Sequence, residues 1–551
     1  MASRKIIQKL DSLLSLEKGT IHKEPGGKIT ICLVYPNTYH TGMSNLGFQG
    51  IYRLLNDRPD VVCERAFLPD DEDMEDYVRT DTEIFSLESR KALNRFQIVA
   101  FSVSFENDYP HIVKIMEMSR IPLRSSERTD LHPLMIAGGV CTSFNPEPIA
   151  DFFNICFIGE AEEMLPEFIE TYKTSRSRRD LYNHAISIEG LYIPAFYDIR
   201  YTHNGKIAEA TTLNGAPEMV RRRFVKDLAS HPFGQSIVTP STEFSNMHLL
   251  EAMRGCPWSC RFCVTGYVNR PVRKKEPALL RKEIHNALSS TARVGLIGPS
   301  LTDYPHVQEI LCIDGVDFSI TSLRASPKSA DLIRFLKKHK SVSIAPEAGT
   351  ERLRRVIDKR ITEADIIETS RRILSEGVEN LRLYFIIGLP TENDDDPEGI
   401  ISLVKKIREA ITQGNIVLTL STFVPKPFTP FQWHPMERVD IVKHRLKSIK
   451  KALIPIRGVK VFHDIPKYAY MQGLFSRGDR RVSKVLEEMV RNRGDWQKAC
   501  KSAGVEADFY LFRQRDFPER LPWDFIDNAV SKEKLWTEYQ KALAEEKPRE
   551  P

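Results

Sequence analysis

Three of the chain's nine cysteines stand within eight residues, as Cys256-Pro-Trp-Ser-Cys260-Arg-Phe-Cys263. Their spacing is C-x3-C-x2-C, and the segment follows directly after a predicted strand. Three thiolates on one loop can hold three corners of an iron–sulfur cubane, because these soft ligands bind such clusters locally. The arrangement therefore predicts an iron–sulfur cluster with one iron left open.

Zinc is the main alternative for this loop. A closed tetrahedral zinc site needs a fourth Cys or His ligand, and the nearest histidines, His248 and His285, lie outside the loop. Three unrelated buried thiols would not share one turn-rich loop. The other cysteines are scattered: Cys32, Cys63, Cys141, Cys156, Cys312 and Cys500. An odd count with one cluster indicates metal binding inside the cell rather than a disulfide framework.

Alternating strands and helices surround the cysteine loop. The helical patterns include 277–288, 362–376 and 397–412, and the last two begin at capping residues. Six βα units without a signal that ends the sheet predict an α/β fold, a (β/α)6 partial TIM barrel over residues 244–458. The predicted strands are 247–252, 294–297, 318–321, 342–345, 381–387 and 417–423.

The cysteine motif, with Phe262 just before the last cysteine, resembles the signature of the radical S-adenosylmethionine (SAM) superfamily. The resemblance implies that Cys256, Cys260 and Cys263 hold a [4Fe-4S] cluster, whose open iron chelates the amino and carboxylate groups of SAM. It also implies that an electron from the cluster cleaves SAM to a 5′-deoxyadenosyl radical. In barrels the site lies at the C-terminal ends of the strands.

The same resemblance assigns SAM contacts to segments that follow the barrel strands. The family often has Gly-Gly-Glu after the second strand, whereas this chain has Gly298-Pro-Ser-Leu-Thr-Asp303, so backbone carbonyls, Ser300 or Asp303 would take that role. Arg suits a carboxylate because its donors form a rigid fork. For each residue, the alternative is a loop charge with a local partner. With Phe262, the implied positions are Ser300, Asp303, Ser322, Arg324, Glu347, Gly388 and Glu392.

Five short apolar runs precede the barrel and alternate with helical patterns at 46–55, 111–118 and 162–172. This alternation predicts a doubly wound, Rossmann-like parallel sheet over residues 28–185. The acidic run 70–76 (DDEDMED) is expected to be a solvated loop. The predicted strands are 29–35, 61–67, 98–103, 134–136 and 155–158.

Glycine-containing turns follow the fourth and fifth of these strands, and they resemble the cobalamin-binding domain fused ahead of many radical SAM enzymes. In that fold, glycines let the backbone approach the nucleotide tail and the corrin at the carboxyl ends of the strands. Two serines on the third strand match the place where the family presents a hydroxyl to the tail. The implied cobalamin contacts are Ser102, Ser104, Gly138, Gly139, Gly159 and Glu160.

One departure concerns the lower ligand of the cobalt. Better-known cobalamin domains carry Asp-x-His-x-x-Gly after the first strand, but this chain has Asn37-Thr-Tyr-His40-Thr-Gly42, without the Asp and one residue short. His40 remains a candidate ligand, with a polar loop histidine as the alternative. Methylthiotransferases, which place cluster cysteines in their N-terminal domain, fit less well because Cys32 and Cys63 fall within predicted strands.

Three regions lie outside the two sheets: an N-terminal helical extension, a linker and a helical C-terminal region, over residues 1–27, 186–243 and 459–551. The whole chain, including the segments 421–427, 476–481 and 521–524, resembles an uncharacterised group of cobalamin-type radical SAM proteins. The C-terminal region is expected to be helical from about residue 460 and to cap the mouth of the barrel. Its Arg477, Asp479 and Arg480 are candidates for the substrate entrance, with a surface ion-pair cluster as the equal alternative.

Composition excludes several classes of protein. With 551 residues, of which 41% are hydrophobic and 28% charged, the chain is typical of globular proteins and can bury several cores. A net charge of +5 is too weak to indicate nucleic acid by itself. The sequence has no run of 18 apolar residues and no apolar signal core, which predicts a cytoplasmic protein without a membrane partner.

Three hypotheses of function follow. The first is a cobalamin-dependent radical SAM enzyme, with methyl transfer to an unknown substrate as the reaction. The second is a radical SAM enzyme of rearrangement, cyclisation or sulfur insertion, including RNA modification. The third is a non-catalytic iron–sulfur electron carrier or RNA-binding protein, based on the basic stretches 221–223 and 270–275. Either enzyme would need an electron donor such as flavodoxin or ferredoxin.

Overall fold

The chain divides into two compact units in a computed structural model that describes residues 3–231, 233–320, 323–335 and 340–545. The first unit comprises Met1–Leu249, Leu474–Ala507 and Pro518–Ala529. The second comprises Leu250–Gly473, Asp508–Phe517 and Val530–Pro551. The segment expected to be one helical C-terminal region is thus shared between the two units.

Six strands form the sheet of the first unit: β1 (Ile29–Tyr35), β2 (Val61–Phe67), β3 (Ile98–Ser102), β4 (Leu134–Gly138), β5 (Ile155–Phe157) and β6 (Leu191–Tyr192). Their order is β2-β1-β3-β4-β5-β6, with only β6 antiparallel to its neighbour. All seven residues of β1 are buried, as expected for a parallel strand covered on both faces. The predicted doubly wound sheet is confirmed. Such sheets bind ligands where the strand order reverses, here between β1 and β3.

Eight helices belong to the N-terminal part of this unit: α1 (Arg4–Ser15), α2 (Tyr39–Met43), α3 (Leu46–Asn56), α4 (Asp71–Arg79), α5 (Tyr109–Met118), α6 (Val140–Phe144), α7 (Ala161–Thr174) and α8 (Arg178–Ala185). The expectation of a loop at 70–76 is wrong, because these residues begin α4. The helix dipole stabilises carboxylates in a first turn. Lys9 of α1 also pairs with Asp70 at 2.6 Å and with Asp73.

The segment expected to be an irregular linker, 186–243, contains ordered strands. Besides β6, it forms an antiparallel hairpin of β7 (Tyr197–Tyr201) and β8 (Ile207–Thr212), and the short strand β9 (Val220–Arg221). The strands β6 and β9 have only two residues each, which is too short to produce a hydrophobic period. The hairpin strands β7 and β8 are longer but mostly exposed, so their apolar pattern is weak. The sequence pattern therefore did not predict these four strands.

The second unit is built on seven main strands and one short antiparallel pair, β11 with β12. The strands are β10 (His248–Glu251), β11 (Met253–Arg254), β12 (Arg273–Lys274), β13 (Arg293–Ile297), β14 (Asp317–Ile320), β15 (Ser341–Glu347), β16 (Asn380–Ile387), β17 (Asn415–Thr422) and β18 (Val459–His463). One sheet has the order β10-β13-β14 and another β15-β16-β17-β18. A parallel bridge between Leu323 and Ile344 joins them. The strands thus follow one another in chain order, as in the predicted partial barrel.

The second unit contains the helices α9 (Thr265–Val268), α10 (Pro277–Ala287), α11 (Val307–Leu311), α12 (Pro327–Ala330), α13 (Glu351–Val356), α14 (Glu363–Ser375), α15 (Asp395–Ala410) and α16 (Val439–Leu453). All of these except α9 and α13 pack against the strands in one core. Thr362 caps α14 in a reciprocal capping box with Asp365. Alternate strand residues such as Leu383, Leu418 and Val461 join helix residues in one apolar core. The burial that holds the barrel together therefore lies on its helix side.

The C-terminal part contains α17 (Pro466–Arg477), α18 (Val482–Arg491), α19 (Trp496–Ala503), α20 (Ala507–Leu511), β19 (Ile526–Asp527) and α21 (Lys532–Ala544). The expectation of helix from residue 460 is wrong at its start, since β18 ends only at His463 and buries Val459 and Val461 in the core. Among the described residues, every helix is too short or too polar to cross a lipid bilayer.

Candidate functional site

The three cysteines lie in a loop that follows β10. The strands β11 and β12 pair antiparallel and close the base of this loop. Gly255 adopts a φ of +82°, and a Cβ there would clash with the backbone of Asn269. Because only glycine combines this φ with so close an approach, the turn that leads into Cys256 requires Gly255.

Arg261, between the second and third cysteines, anchors the loop. Its guanidinium donates to the carbonyls of Arg355 and Val356 at 3.0 and 2.9 Å, and it pairs with Glu538 at 3.2 Å. Its backbone N–H donates to the carbonyl of Ile357 at 3.0 Å. Since Arg261 is buried, these bonds fix the loop against the end of α13.

The three thiols differ in exposure. Cys260 is buried, whereas Cys256 and Cys263 are half-buried, as is Phe262. Burial raises the pKa of the Cys260 thiol to about 11 and also raises the pKa of Cys256. A bound metal would reverse this effect, because coordination deprotonates a thiol.

Asp303, after β13, is held beside the loop by two donors. Trp258 of the cysteine motif donates its indole N–H to Oδ2 of Asp303 at 2.6 Å, and Ser300 donates its hydroxyl to the same oxygen at 2.6 Å. Lys274 donates to the carbonyl of Asp303 at 3.0 Å. The role of Trp258 was not predicted, although the residue stands inside the motif.

Arg324, after β14, carries positive charge to the same loop. Its guanidinium lies 3.6 Å from the centroid of the Trp258 ring, a cation–π contact. Burial lowers the pKa of Arg324, and the thiols of Cys260 and Cys256 oppose that shift. Arg324 also donates to the carbonyl of Lys359. The structure thus brings Arg324 from the end of another strand against Trp258 of the cysteine loop. The predicted SAM contact Ser322 lies outside the described residues.

Glu347 ends β15 with a φ of +67°, which is rare for a residue with a side chain. Its carboxylate pairs with Lys359 at 2.9 Å. Burial lowers the pKa of Lys359, but Glu347 and Cys260 more than offset this effect, and the pKa is raised. Sequence reasoning missed Lys359, which stands in a loop without a recognisable motif.

The carboxylate of Glu392, a predicted SAM contact, is occupied by partners within the protein. Its Oε2 accepts the backbone N–H groups of Gly388 and Leu389 at 2.6 and 2.9 Å, and Arg445 lies 3.3 Å from Oε1. Burial raises the pKa of Glu392 to about 7, although Arg445 opposes the shift. Gly388 has a φ of +87°, and Glu392 therefore stabilises the turn that follows β16.

The carboxyl edge of the first unit's sheet presents small residues. Ser102 ends β3 and is half-buried, and Ser104 accepts a hydrogen bond from the amide of Asn45 at 3.2 Å. Gly138 ends β4, where the nearest atom to an added Cβ would be Phe157 at 3.6 Å. A side chain at Gly138 would therefore enter free space at the edge.

The neighbouring glycines are required by the protein itself. Gly139 and Gly159 have φ values of +117° and +122°, and a Cβ at either would clash with the backbone of Val103 or Arg223. Glu160 accepts the backbone N–H of Val225 at 2.9 Å. The structure thus places the protein's own chain against three residues predicted to contact a ligand. His40, in α2, is exposed.

The predicted entrance residues Arg477, Asp479 and Arg480 form no surface cluster, because Arg477 and Asp479 are buried. Arg480 pairs with the buried carboxylate of Glu147 at 3.1 Å and donates to the hydroxyl of Tyr192 at 2.6 Å. A buried carboxylate needs a cation and hydrogen-bond donors. Arg480 therefore acts within the core of the first unit.

Two family matches and several relatives agree with the geometry. Residues 47–194 match the family "Radical SAM proteins, N-terminal", and residues 250–404 match the "Radical SAM superfamily". An uncharacterized protein, MJ0966, of Methanocaldococcus jannaschii is 30% identical over 467 residues, which are 83% of this chain and 90% of that protein. The ribosomal protein uS12 methylthiotransferase RimO of Thermodesulfovibrio yellowstonii is 24% identical over 196 residues, 32% of this chain and 45% of RimO.

Among solved structures, the cobalamin-dependent SAM radical enzyme OxsB with aqua-cobalamin and SAM bound aligns with 94% of this chain and 80% of its own, at 12% identity and a TM-score of 0.47. The matches at 47–194 and 250–404 cover the sheet of the first unit and the cysteine-bearing strands of the second. The chain therefore belongs to the radical SAM superfamily, whose members use a [4Fe-4S] cluster and SAM.

Proposed function

We propose that this radical SAM enzyme holds its cluster through Cys256, Cys260 and Cys263. The observation that carries the proposal is the contact of Trp258 with both Asp303 and Arg324. Through Trp258, one carboxylate and one guanidinium from two different strand ends are held against the cysteine loop. Such a pair complements the ammonium and the carboxylate of an amino acid, which SAM carries.

The donor set favours a cluster over zinc. Among the described residues, no three His, Cys, Asp or Glu side chains lie close enough together to hold one metal ion. A cubane spreads its thiolates farther apart than a single ion does, and it needs only three of them when one iron stays open. This loop supplies three cysteines, which is the number that such a cluster needs.

When bound, the cluster supplies the electron that cleaves SAM. The residues of this chain bind and orient it. Arg324 would donate to the SAM carboxylate from its position over Trp258, and Asp303 has Oδ1 available to accept from the amino group while Oδ2 accepts from Trp258 and Ser300. We propose that Glu392 and Gly388 stabilise the turn after β16 rather than contact SAM.

We further propose that the carboxyl edge of the first unit's sheet binds cobalamin. The flavodoxin-like strand order places a binding crevice at this edge, and the free space at Gly138 lets a ligand approach the backbone. Ser102 is the hydroxyl at the same edge. Gly139, Gly159 and Glu160 would support the edge without contacting the ligand, and methyl transfer through cobalamin is the proposed reaction.

Sulfur insertion is the alternative suggested by the methylthiotransferase relatives, which resemble about a third of this chain. Cys32, Cys63, Cys141 and Cys156 of the first unit are all buried, which makes them poor ligands for a second cluster. The RNA-binding alternative is weakened by ion pairs within the basic stretches. Arg223 pairs with Glu163 at 2.9 Å, and Lys275 pairs with Glu283 at 2.7 Å.

Product analysis separates these reactions. Reconstituted enzyme would be incubated anaerobically with SAM, hydroxocobalamin and a reductant, and the SAM products would be quantified. S-adenosylhomocysteine together with 5′-deoxyadenosine supports cobalamin-dependent methyl transfer. Formation of 5′-deoxyadenosine alone, with no change in the cobalamin absorption spectrum, would contradict it.

A further inference from the structure

Among the described residues, the apolar core that the four-stranded sheet of the second unit shares with its helices contains strand residues of one parity from β15 to β18, with Val417 outside it. These residues, such as Leu383 and Val461, pack in the helix-side core. Residues of the other parity point away from it, and we call the surface formed by these side chains the open face. Arg382, Lys460 and Phe462 on this face are exposed, and Phe462 keeps 58% of its surface accessible.

The strand register arranges the open face in two rows. Arg382 pairs with Val417, and Val417 with Lys460, so two cations stand two strands apart. In the next row, Tyr384 pairs with Thr419, and Thr419 with Phe462. Two strand spacings are about 10 Å, which leaves room for one planar ring above Thr419 between the two aromatic side chains.

Neither cation has a carboxylate partner among the described residues. Arg382 donates from Nε to the hydroxyl of Ser341 at 3.0 Å, and Lys460 has no hydrogen bond or ion pair there. The other charged residue of the open face is Glu347, which is paired with Lys359 at 2.9 Å. The open face is therefore positively charged toward the amino ends of the strands and aromatic in the next row toward their carboxyl ends.

We propose that the open face binds the substrate and that the substrate is an aromatic anion. Its ring lies between Tyr384 and Phe462, and its phosphate or carboxylate lies on Arg382 and Lys460. An exposed aromatic side chain beside unpaired cations is the pattern of a binding surface. This inference rests on the proposed function, since the open face continues to the strand ends that carry Glu347 and the SAM contacts.

The test uses phenyl phosphate and benzoate as probes, measured by saturation-transfer NMR on the full chain. Both should bind, at least about tenfold more tightly than phenol or inorganic phosphate alone. A preference for one probe identifies the anionic group. Phe462→Ala and Arg382→Gln should each weaken binding by about tenfold. Equal binding by wild type and both variants, or no binding by wild type, would overturn the inference.

Two matched variants control for general surface effects. Ile465→Ala removes an apolar side chain that is as exposed as Phe462, and Lys447→Gln removes an exposed lysine of α16, outside the open face. Both should bind the probes like wild type. Cys260→Ala should also keep probe binding while losing iron. A wild-type protein that binds the probes but never takes up iron would contradict the proposed cluster site and leave the open face standing.

Discussion

The two units of the molecule present strand ends of opposite chemistry. The edge of the second unit carries long polar side chains held by fixed partners, such as Arg324 on Trp258 and Lys359 on Glu347. The edge of the first unit carries a serine and glycines, and its free space lies at Gly138. The first kind of edge suits the recognition of a small charged ligand through side chains, as we propose for SAM, and the second suits the approach of a large ligand to the backbone, as we propose for cobalamin.

Because of this difference, the two edges should tolerate different substitutions. At the second unit's edge, single side chains can be changed without touching the backbone. At the first unit's edge, two adjacent glycines differ in what a side chain would meet. Gly139 has a φ of +117°, and a Cβ there would clash with the backbone of Val103. Gly138 has an ordinary φ, and a Cβ there would make only an ordinary contact with Phe157. Substitutions at the two edges should therefore fail in different ways.

The largest effect is expected at the cysteine loop. Cys256→Ala, Cys260→Ala and Cys263→Ala should each lose the bound iron and abolish SAM cleavage, because two thiolates cannot hold a cubane with one open iron. Iron content and 5′-deoxyadenosine formation would be measured after anaerobic reconstitution. Cys312→Ala and Cys500→Ala serve as controls and should keep both. Equal loss from all five variants would indicate misfolding and leave the ligand assignment unsupported.

The next effect distinguishes the two adjacent glycines. Gly139→Val should destabilise the first unit by about 3 kcal/mol or more, since valine cannot adopt the φ there and its Cβ meets the Val103 backbone. Gly138→Val should leave the free energy of unfolding nearly unchanged and remove cobalamin binding, because the side chain fills the ligand's space. Urea unfolding and cobalt content provide the two measurements. Normal cobalamin binding by a folded Gly138→Val protein would refute the assignment.

Glu392 should make stability depend on pH. Its pKa is about 7 when folded against an ordinary 4.5, so between these values the folded protein holds a proton that the unfolded chain has released. Stability should therefore fall as pH rises through this window, by about 3 kcal/mol in total. Glu392→Gln should remove this component from a comparison of unfolding free energies at pH 5 and pH 8. Identical pH dependence in both proteins would show that Glu392 does not titrate as stated.

Trp258→Phe should have a moderate effect on SAM. The variant keeps an aromatic ring under Arg324 but loses the hydrogen bond to Asp303, which should weaken SAM binding roughly tenfold. Equilibrium dialysis of reconstituted protein would give the dissociation constant, with iron content as the control. Ser300→Ala removes the second donor to the same oxygen and should behave alike. Unchanged SAM affinity in both variants would show that Asp303 does not bind SAM.

The smallest effect is expected at His40. The residue is exposed and departs from the Asp-x-His-x-x-Gly pattern, so we predict that His40→Ala leaves the electron paramagnetic resonance spectrum of bound Co(II) cobalamin unchanged. Nitrogen superhyperfine splitting that is present in wild type and absent from the variant would show that His40 is the lower ligand.

The sequence predicted the regular parts of both sheets because buried parallel strands are nearly continuous apolar runs. The strands β1 and β2 match their predicted bounds residue for residue. Short or charged elements escaped prediction, among them β9 and the acidic helix α4. Composition alone cannot distinguish an acidic helix from a solvated loop. In α4 the carboxylates are stabilised by the helix dipole and by Lys9, which pairs with Asp70.

At the site, spacing singled out the three cysteines as candidate ligands because cluster ligation by cysteine is local in sequence. The pair of Glu347 and Lys359 and the burial of Glu392 depend on how separate segments fold together, and no local pattern encodes them. The sequence predicted Gly138, Gly139 and Gly159 alike as cobalamin contacts at the first unit's edge. Only the structure distinguishes Gly138, with space in front of it, from Gly139, which the fold itself requires.

The central claim, that each edge holds its own cofactor, is tested most directly by metal stoichiometry. Wild type, Cys256→Ala and Gly138→Val would be reconstituted anaerobically with iron, sulfide and hydroxocobalamin, and iron and cobalt per chain would be measured. We predict about four irons and one cobalt in wild type, cobalt without iron in Cys256→Ala, and iron without cobalt in Gly138→Val. Zinc in place of iron, or no cobalt in wild type, would contradict the claim.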